Sequence, residues 1–283
     1  MRYSLIPAAV IFFATTAAMT SLSSSPLRTD DGASNPLVRL HAAGSLKPAL
    51  TEIGRRFTAE YGVKVEAQFG ASGLLRDRLE RGEPGDVYAS ADMANPLSLA
   101  TQGKAGPVVL FARNRLCAIV RPGLHVTPET VLATMLAPEI KLGTSTPKAD
   151  PSGDYAWQVF AKADAVRRGA GRDLEAKALK LTGGPESPLP PDGRNVYAWH
   201  LLEGRADLFL GYCTAGYDAA ATSPGITVVG LPPELAVGAD YGLAVLHGAD
   251  SGTAMPFVFY ILSEEGQAIL ARYGFDAPLL RSP

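Results

Sequence analysis

Leu37-Val38-Arg39-Leu40-His41-Ala42-Ala43-Gly44-Ser45 is a short apolar run that ends in a turn of small residues. Beyond it Leu46, Leu50, Ile53 and Phe57 recur at helical spacing. Val63, Val65, Ala67 and Phe69 then alternate as a half-buried strand and end in a second small turn, Gly70-Ala71-Ser72-Gly73, before Leu74, Leu75, Arg78 and Leu79 open another helix. Asp86-Val87-Tyr88-Ala89 is a third short strand. The order restarts with strands at Leu116–Val120 and Ile140–Gly143, helices from about Tyr155 to Val166 and from Val196 to Leu202, and strands at Leu208–Tyr212 and Ile226–Val229. Two helical segments close the chain, Ala254–Leu262 and Glu264–Tyr273. Strands alternating with helices predict an α/β fold of two units, each built on a parallel sheet with helices on its faces.

The 283 residues are 47% hydrophobic and 19% charged, enough apolar material for a core. A formal net charge of −2 with no Lys/Arg run argues against a nucleic-acid surface. The four histidines are scattered and the two cysteines are too few for a zinc site, so no direct metal-cation ligands and no cofactor motif are expected. Arg2, an apolar run from Leu5 to Met19 and a Ser-rich stretch describe a secretory signal peptide over about 1–25, followed by a tether over 26–36. The mature protein is therefore expected in the periplasm.

Ser45, Ser72 and Ser152 each fall where a loop becomes a helix, and each has a glycine beside it: Gly44, Gly73 and Gly153. Helix N-termini expose unpaired N–H groups and carry about +0.5 of a charge, glycine lets a ligand approach the backbone, and serine adds a hydroxyl donor. Three such ends converging on one point would hold an anion without any Lys or Arg. The alternative is that all three serines are ordinary N-caps.

Other candidates carry less. Gly70-Ala71-Ser72-Gly73 lacks the spacing of a nucleophile elbow, and no phosphate-loop or dinucleotide motif occurs. Asp150 and Asp154 bracket Pro151-Ser152-Gly153 as a carboxylate pair, or as acids answering the helix dipole. His200, beside Trp199, reads as a packed or surface histidine. Cys117 and Cys213 both read as falling on strands of the second α/β unit, where an oxidising compartment favours a disulfide between them; unpaired, they would act as small hydrophobes.

His41-Ala42-Ala43-Gly44-Ser45-Leu46, Phe69-Gly70-Ala71-Ser72-Gly73 and Gly85-Asp86-Val87-Tyr88-Ala89-Ser90-Ala91-Asp92 occur in the order of a known series. With Asn114-Arg115-Leu116, Asp150-Pro151-Ser152-Gly153-Asp154-Tyr155-Ala156 and the ending Ser263–Leu270 through Gly274-Phe275, the chain from Leu37 to Phe275 resembles the periplasmic molybdate-binding proteins of ABC importers. The resemblance implies a two-lobed periplasmic-binding-protein (type II) fold, with lobe 1 over 37–113 plus 232–283 and lobe 2 over 114–231. It implies an oxyanion, molybdate or tungstate, clasped between the lobes, and an ABC permease as partner to a monomeric protein. By motif position the ligand set would be the hydroxyls of Ser45 and Ser72, backbone N–H groups at Ser152 and Val196, and the hydroxyl of Tyr212. This sequence departs from the family at Cys213-Thr214-Ala215-Gly216, where better-known members carry a more acidic, cysteine-free turn. The proline-rich loop from Gly183 to Gly193 is also unusual.

A site made only of donors suits a fully deprotonated dianion such as molybdate, tungstate or sulfate. Hydrogen phosphate brings a proton that needs an acceptor, and without one the mismatch costs about 1–3 kcal/mol. Asp150 or Asp154 pointing into the cleft would supply that acceptor. The alternatives to molybdate are sulfate, thiosulfate or a small organic anion on the same fold. A secreted hydrolase using Ser72 or Ser152 is a further alternative; the reading taken forward is a binding protein, with no catalytic residue.

Overall fold

The computed structural model describes Met1 and residues 36–278. The expected signal peptide and all but the last residue of the tether lie outside the described residues. No described helix is long and apolar enough to cross a membrane.

The elements run β1 (Leu37–Ala43), α1 (Lys47–Tyr61), β2 (Lys64–Gly70), α2 (Ser72–Glu80), β3 (Val87–Ser90), α3 (Ala94–Thr101) and β4 (Val109–Val120). They continue with α4 (Val131–Leu136), β5 (Leu142–Ser145), α5 (Pro151–Val166), α6 (Ala170–Lys177), β6 (Leu179–Thr182), α7 (Val196–Leu202), β7 (Leu208–Tyr212) and α8 (Cys213–Thr222). β8 (Thr227–Gly230), β9 (Gly238–Val245), α9 (Ser251–Leu262) and α10 (Glu264–Arg272) complete the chain. The strands order as β2-β1-β3-β9-β4-β7-β5-β6, with β8 also on β4. β1 pairs in parallel with β2 and β3, and β5 in parallel with β6 and β7. The antiparallel pairs gather around β9 and β4. β4 changes partners along its length: residues up to Arg115 pair with β9, and Leu116–Val120 pair with β7 and β8.

The α/β architecture therefore matches the alternation in the sequence, but the sheet is mixed rather than parallel because β4 and β9 run antiparallel to their neighbours, and β4 is longer than the apolar run 116–120 suggests. Its first half carries Arg113, Asn114 and Arg115, which hide it from a hydrophobicity reading. The helix expected from about Tyr155 begins at Pro151, because proline's fixed φ suits the first helical turn and Asp150 caps it. α1 packs on β2, α9 and α10 and buries Leu50, Ile53 and Phe57, each side chain contributing roughly 1.5–3 kcal/mol. That packing fixes the 3-10 turn Gly44–Leu46, which carries Ser45.

A disulfide joins Cys117 of β4 to Cys213, the first residue of α8, with Cα atoms 4.9 Å apart. Because Leu116 is the register partner of Tyr212, the cross-link ties the end of β7 to β4 at the tyrosine.

Candidate functional site

A cleft of about 820 Å³ is walled by Ser45, Ala71, Ala91, Asp150, Val196 and Tyr212 among others. It lies at the C-terminal ends of β1, β2, β3 and β7, where their turns lead into the helices. Parallel α/β sheets place ligands at such ends.

None of the three serines is an N-cap. Ser45 sits inside the 3-10 turn, Ser72 is the first residue of α2 after Ala71, and Ser152 follows the capping Asp150 and Pro151. Neither the 3-10 turn nor α2 has a side-chain cap at all.

The Ser45 hydroxyl oxygen is 2.9 Å from that of Tyr241. Asn114 stands behind this contact. Its Oδ1 accepts from the Arg115 N–H at 2.8 Å, so its amide nitrogen faces the other way and donates to Thr214 Oγ1 and to the Tyr241 hydroxyl at 3.1 Å. The Tyr241 oxygen accepts that amide hydrogen and keeps its own hydrogen to donate. In the arrangement where it donates to Ser45 Oγ, the serine, with one hydrogen and two lone pairs, keeps its hydrogen for a ligand. Ser72 follows the same logic from a different direction. Its Oγ accepts from the Ala91 N–H at 3.1 Å and its backbone carbonyl accepts from the Tyr88 hydroxyl at 2.7 Å, leaving the Ser72 O–H unspent.

Tyr212 is buried at the end of β7, and its hydroxyl donates to the Ala91 carbonyl at 3.3 Å. Burial pushes the phenols of Tyr212, Tyr241 and Tyr197 upward, with nearby charges adding to the effect, so all three are protonated donors at neutral pH. At α7, Asn195 caps the N–H groups of Tyr197 and Ala198 at 3.0 and 3.1 Å; the Val196 N–H is not among those it takes. At α5 the geometry differs from the expectation. The Ser152 N–H is held by the Asp150 carboxylate at 3.1 Å, and the Ser152 hydroxyl is buried without a partner.

A backbone hydrogen bond links the first turn of α2 to the loop before α5: the Gly73 N–H donates to the Ala149 carbonyl at 2.9 Å. A Cβ on Gly73 would overlap both the Lys148 and the Ala149 carbonyl oxygens, so only glycine permits this approach. The structure thus brings Ser45, Tyr212 and Val196 onto one cleft, with Ser72 and Ser152 one residue or two from the wall residues Ala71 and Asp150. Sequence reasoning missed Tyr241, Asn114 as a hydroxyl-orienting group and Ala91.

Asp154 accepts from the Lys148 N–H at 2.9 Å rather than pairing with Asp150. His200 is fully buried between Trp199 and Phe209, and burial lowers its pKa, which keeps it neutral. The Ser72 hydroxyl is hydrogen-bonded to a backbone N–H, and neither it nor Ser152 Oγ has a histidine or carboxylate partner among the described residues. No group of three or more His, Cys, Asp or Glu capable of holding a metal ion occurs among them.

The sequence matches the family model described as bacterial extracellular solute-binding protein over residues 38–276. The chain belongs to that family. It is 38% identical over 208 residues to the uncharacterized protein PM1146 of Pasteurella multocida, covering 73% of this chain and 86% of the relative. It is 29% identical over 263 residues to the molybdate-binding protein ModA of Mycobacterium bovis, covering 91% and 90%. Among solved structures, the periplasmic molybdate-binding protein of Azotobacter vinelandii superposes with a TM-score of 0.70 at 21% identity, over 85% of this chain and 99% of that one. The sulfate-binding protein SubI of Mycobacterium tuberculosis superposes with a TM-score of 0.69 at 20% identity, over 86% and 88%. The fold is that of periplasmic binding proteins of the molybdate-binding type, and it is shared by proteins that bind different anions.

Proposed function

We propose that this solute-binding protein captures molybdate, and tungstate with it, outside the cytoplasm and delivers it as a monomer to an ABC permease. The observation that carries the reading is the pair of unspent hydroxyl hydrogens on Ser45 and Ser72. With Tyr241 donating to Ser45 and the Ala91 N–H donating to Ser72, each serine keeps its one hydrogen to donate towards the ligand. Two donors fixed this way suit a deprotonated tetrahedral dianion. The Val196 N–H completes the set, joined by the Tyr212 hydroxyl as it turns from the Ala91 carbonyl and by the Ser152 N–H as Asp150 releases it. The segments 37–113 plus 232–283 act as one lobe and 114–231 as the other. They close by hinge motion, and the closed form is what the permease receives.

Molybdate and sulfate carry the same charge and differ in size, so donors spaced for the larger ion leave the smaller one with stretched hydrogen bonds. Calorimetric titration of the anion-stripped mature protein tests the choice. Submicromolar binding of molybdate and tungstate with weak responses to sulfate and phosphate is expected; tight sulfate or phosphate binding would overturn the ligand. A second reading, a small organic anion, draws on the cleft's volume of about 820 Å³, which falls in the range of organic-ligand pockets.

A further inference from the structure

The carboxylate of Asp150, in its ordinary charged state, repels a dianion. It lies in the wall of the same cleft as Ser45, Tyr212 and Val196. It also holds the Ser152 N–H at 3.1 Å, one of the donors the site offers to an anion. Its position is constrained from the opposite side by Gly183, whose φ of +73° and missing side chain let the loop after β6 pass against it. A Cβ there would stand 2.5 Å from Asp150 Oδ2 and from its Cβ. Gly183 therefore limits the carboxylate's retreat on that side when an anion enters.

We infer that anion capture by this protein is proton-coupled, with Asp150 as the specificity-determining residue: the complex holds one proton between the Asp150 carboxyl and an oxygen of the bound anion. The inference rests on the oxyanion reading of the cleft. For molybdate, tungstate or sulfate the proton comes from solvent, and the protonated Asp150 turns from a repelling charge into a donor. For a monohydrogen anion such as hydrogen phosphate the ligand brings the proton and Asp150 accepts it.

The other charged and titratable groups around Asp150 are already provided for. Asp92, after β3, accepts from the Ser90 hydroxyl, the Asn95 N–H and the Asn95 side-chain amide. Asp154, on α5, accepts from the Lys148 N–H. Asp218, on α8 at the cleft wall, accepts from the Asn195 amide at 2.6 Å. Tyr197, Tyr212 and Tyr241 stay protonated throughout the neutral range. Lys47 and Arg194 also line the cleft, and Arg194 lies 3.6 Å from Glu203. Burial already pushes Asp150 up to about 6, against the opposing effect of its hydrogen bonds from the Ser152 N–H and the Ser145 hydroxyl, with the Asp154 and Asp92 charges adding to the rise. A bound dianion is one more negative charge and raises it further. Between the two values, binding takes up one proton. Affinity then falls about tenfold per pH unit as pH rises above about 6, and is level below it.

The test is calorimetric titration of molybdate into the mature protein at pH 6, 7 and 8, each in two buffers of different ionisation enthalpy. The expected result is an uptake approaching one proton per anion at pH 8 and a Kd that weakens about tenfold from pH 7 to 8. Asp150→Asn should bind with no proton uptake and a level pH profile. Asp150→Ser, which still caps α5, should do the same and covers the case in which the Asn variant does not fold. Molybdate binding to the wild type without proton uptake, or uptake that survives in both variants, would overturn the inference while leaving the oxyanion reading intact. Silence with molybdate at all three pH values would instead overturn the molybdate reading. The same titration with sulfate then decides the role of Asp150: proton uptake supports it, and its absence or a second silence overturns it.

Discussion

The hydroxyl oxygens of Ser45 and Tyr241 lie 2.9 Å apart although 196 residues separate them along the chain. The contact joins the first turn of the fold to β9, and through the Asn114 amide it reaches β4 as well. Its proposed consequence is directional: with Tyr241 supplying the hydrogen, Ser45 faces the cleft as a donor. Tyr241→Phe removes that hydroxyl and frees Ser45 to turn its hydrogen elsewhere. Anion binding should weaken by about 1 kcal/mol, the worth of a neutral hydrogen bond. Titration of the variant against the wild type checks this, and an unchanged Kd would mean that Ser45 needs no such orientation.

Ser45→Ala and Ser72→Ala each delete a donor to a charged ligand and should each cost about 1.5–3 kcal/mol of binding. Because the two serines hold different partners, Tyr241 in one case and the Ala91 N–H in the other, the losses should add in the double variant. Full affinity in both single variants would place the anion elsewhere.

The proposed closure assigns a part to Gly73. Its N–H bonds to the Ala149 carbonyl in the loop before α5, and a methyl group there would overlap the Lys148 and Ala149 carbonyls. Gly73→Ala should therefore bind anions at least about tenfold more weakly, roughly 1.4 kcal/mol, with little loss of thermal stability because Gly73 is helical in α2. Small-angle scattering of the variant with saturating anion should report a more open molecule than the wild type. Identical affinity and scattering would show that the contact is not part of closure.

The Cys117–Cys213 disulfide closes a chain segment of sequence separation 96, for which loop entropy gives a stabilisation of about 2–5 kcal/mol. Replacing both cysteines by alanine should lower the unfolding free energy by that order in a denaturant titration. Since Cys213 follows Tyr212, anion affinity should fall as well. Stability equal to that of the wild type would count against the disulfide as a staple.

Glu83 accepts from Arg78 and His41, and these bonds depress its pKa from the usual range to about 2. A depressed carboxylate stabilises the fold above its unfolded pKa and loses that contribution as pH falls through the folded value. Wild type should lose about 2 kcal/mol relative to Glu83→Gln between pH 5 and pH 2, after allowance for partial exposure. Acid unfolding curves that stay parallel would contradict this.

The turns after β1 and β2 were legible because each ends an apolar or alternating run in small residues and opens a helix of regular spacing. Ser45 and Ser72 followed from those turns. Tyr241 did not, since its role depends on a register between β9 and β4 that no local pattern encodes. Asp150 reads in sequence as an acid answering a helix dipole, and it does cap α5. That it also walls the cleft depends on Gly183, which reaches it from a loop more than thirty residues away. The local half of the site is written in turns and periodicity; the half that orients it is written in tertiary packing.

The most direct test is a crystal structure of the mature protein grown with molybdate, with the metal located by its anomalous scattering. The account predicts one molybdenum peak in the cleft, with its oxygens within hydrogen-bond distance of Ser45 Oγ, Ser72 Oγ and the Tyr212 hydroxyl. A fully occupied peak elsewhere, or an empty cleft at saturating molybdate, would contradict it.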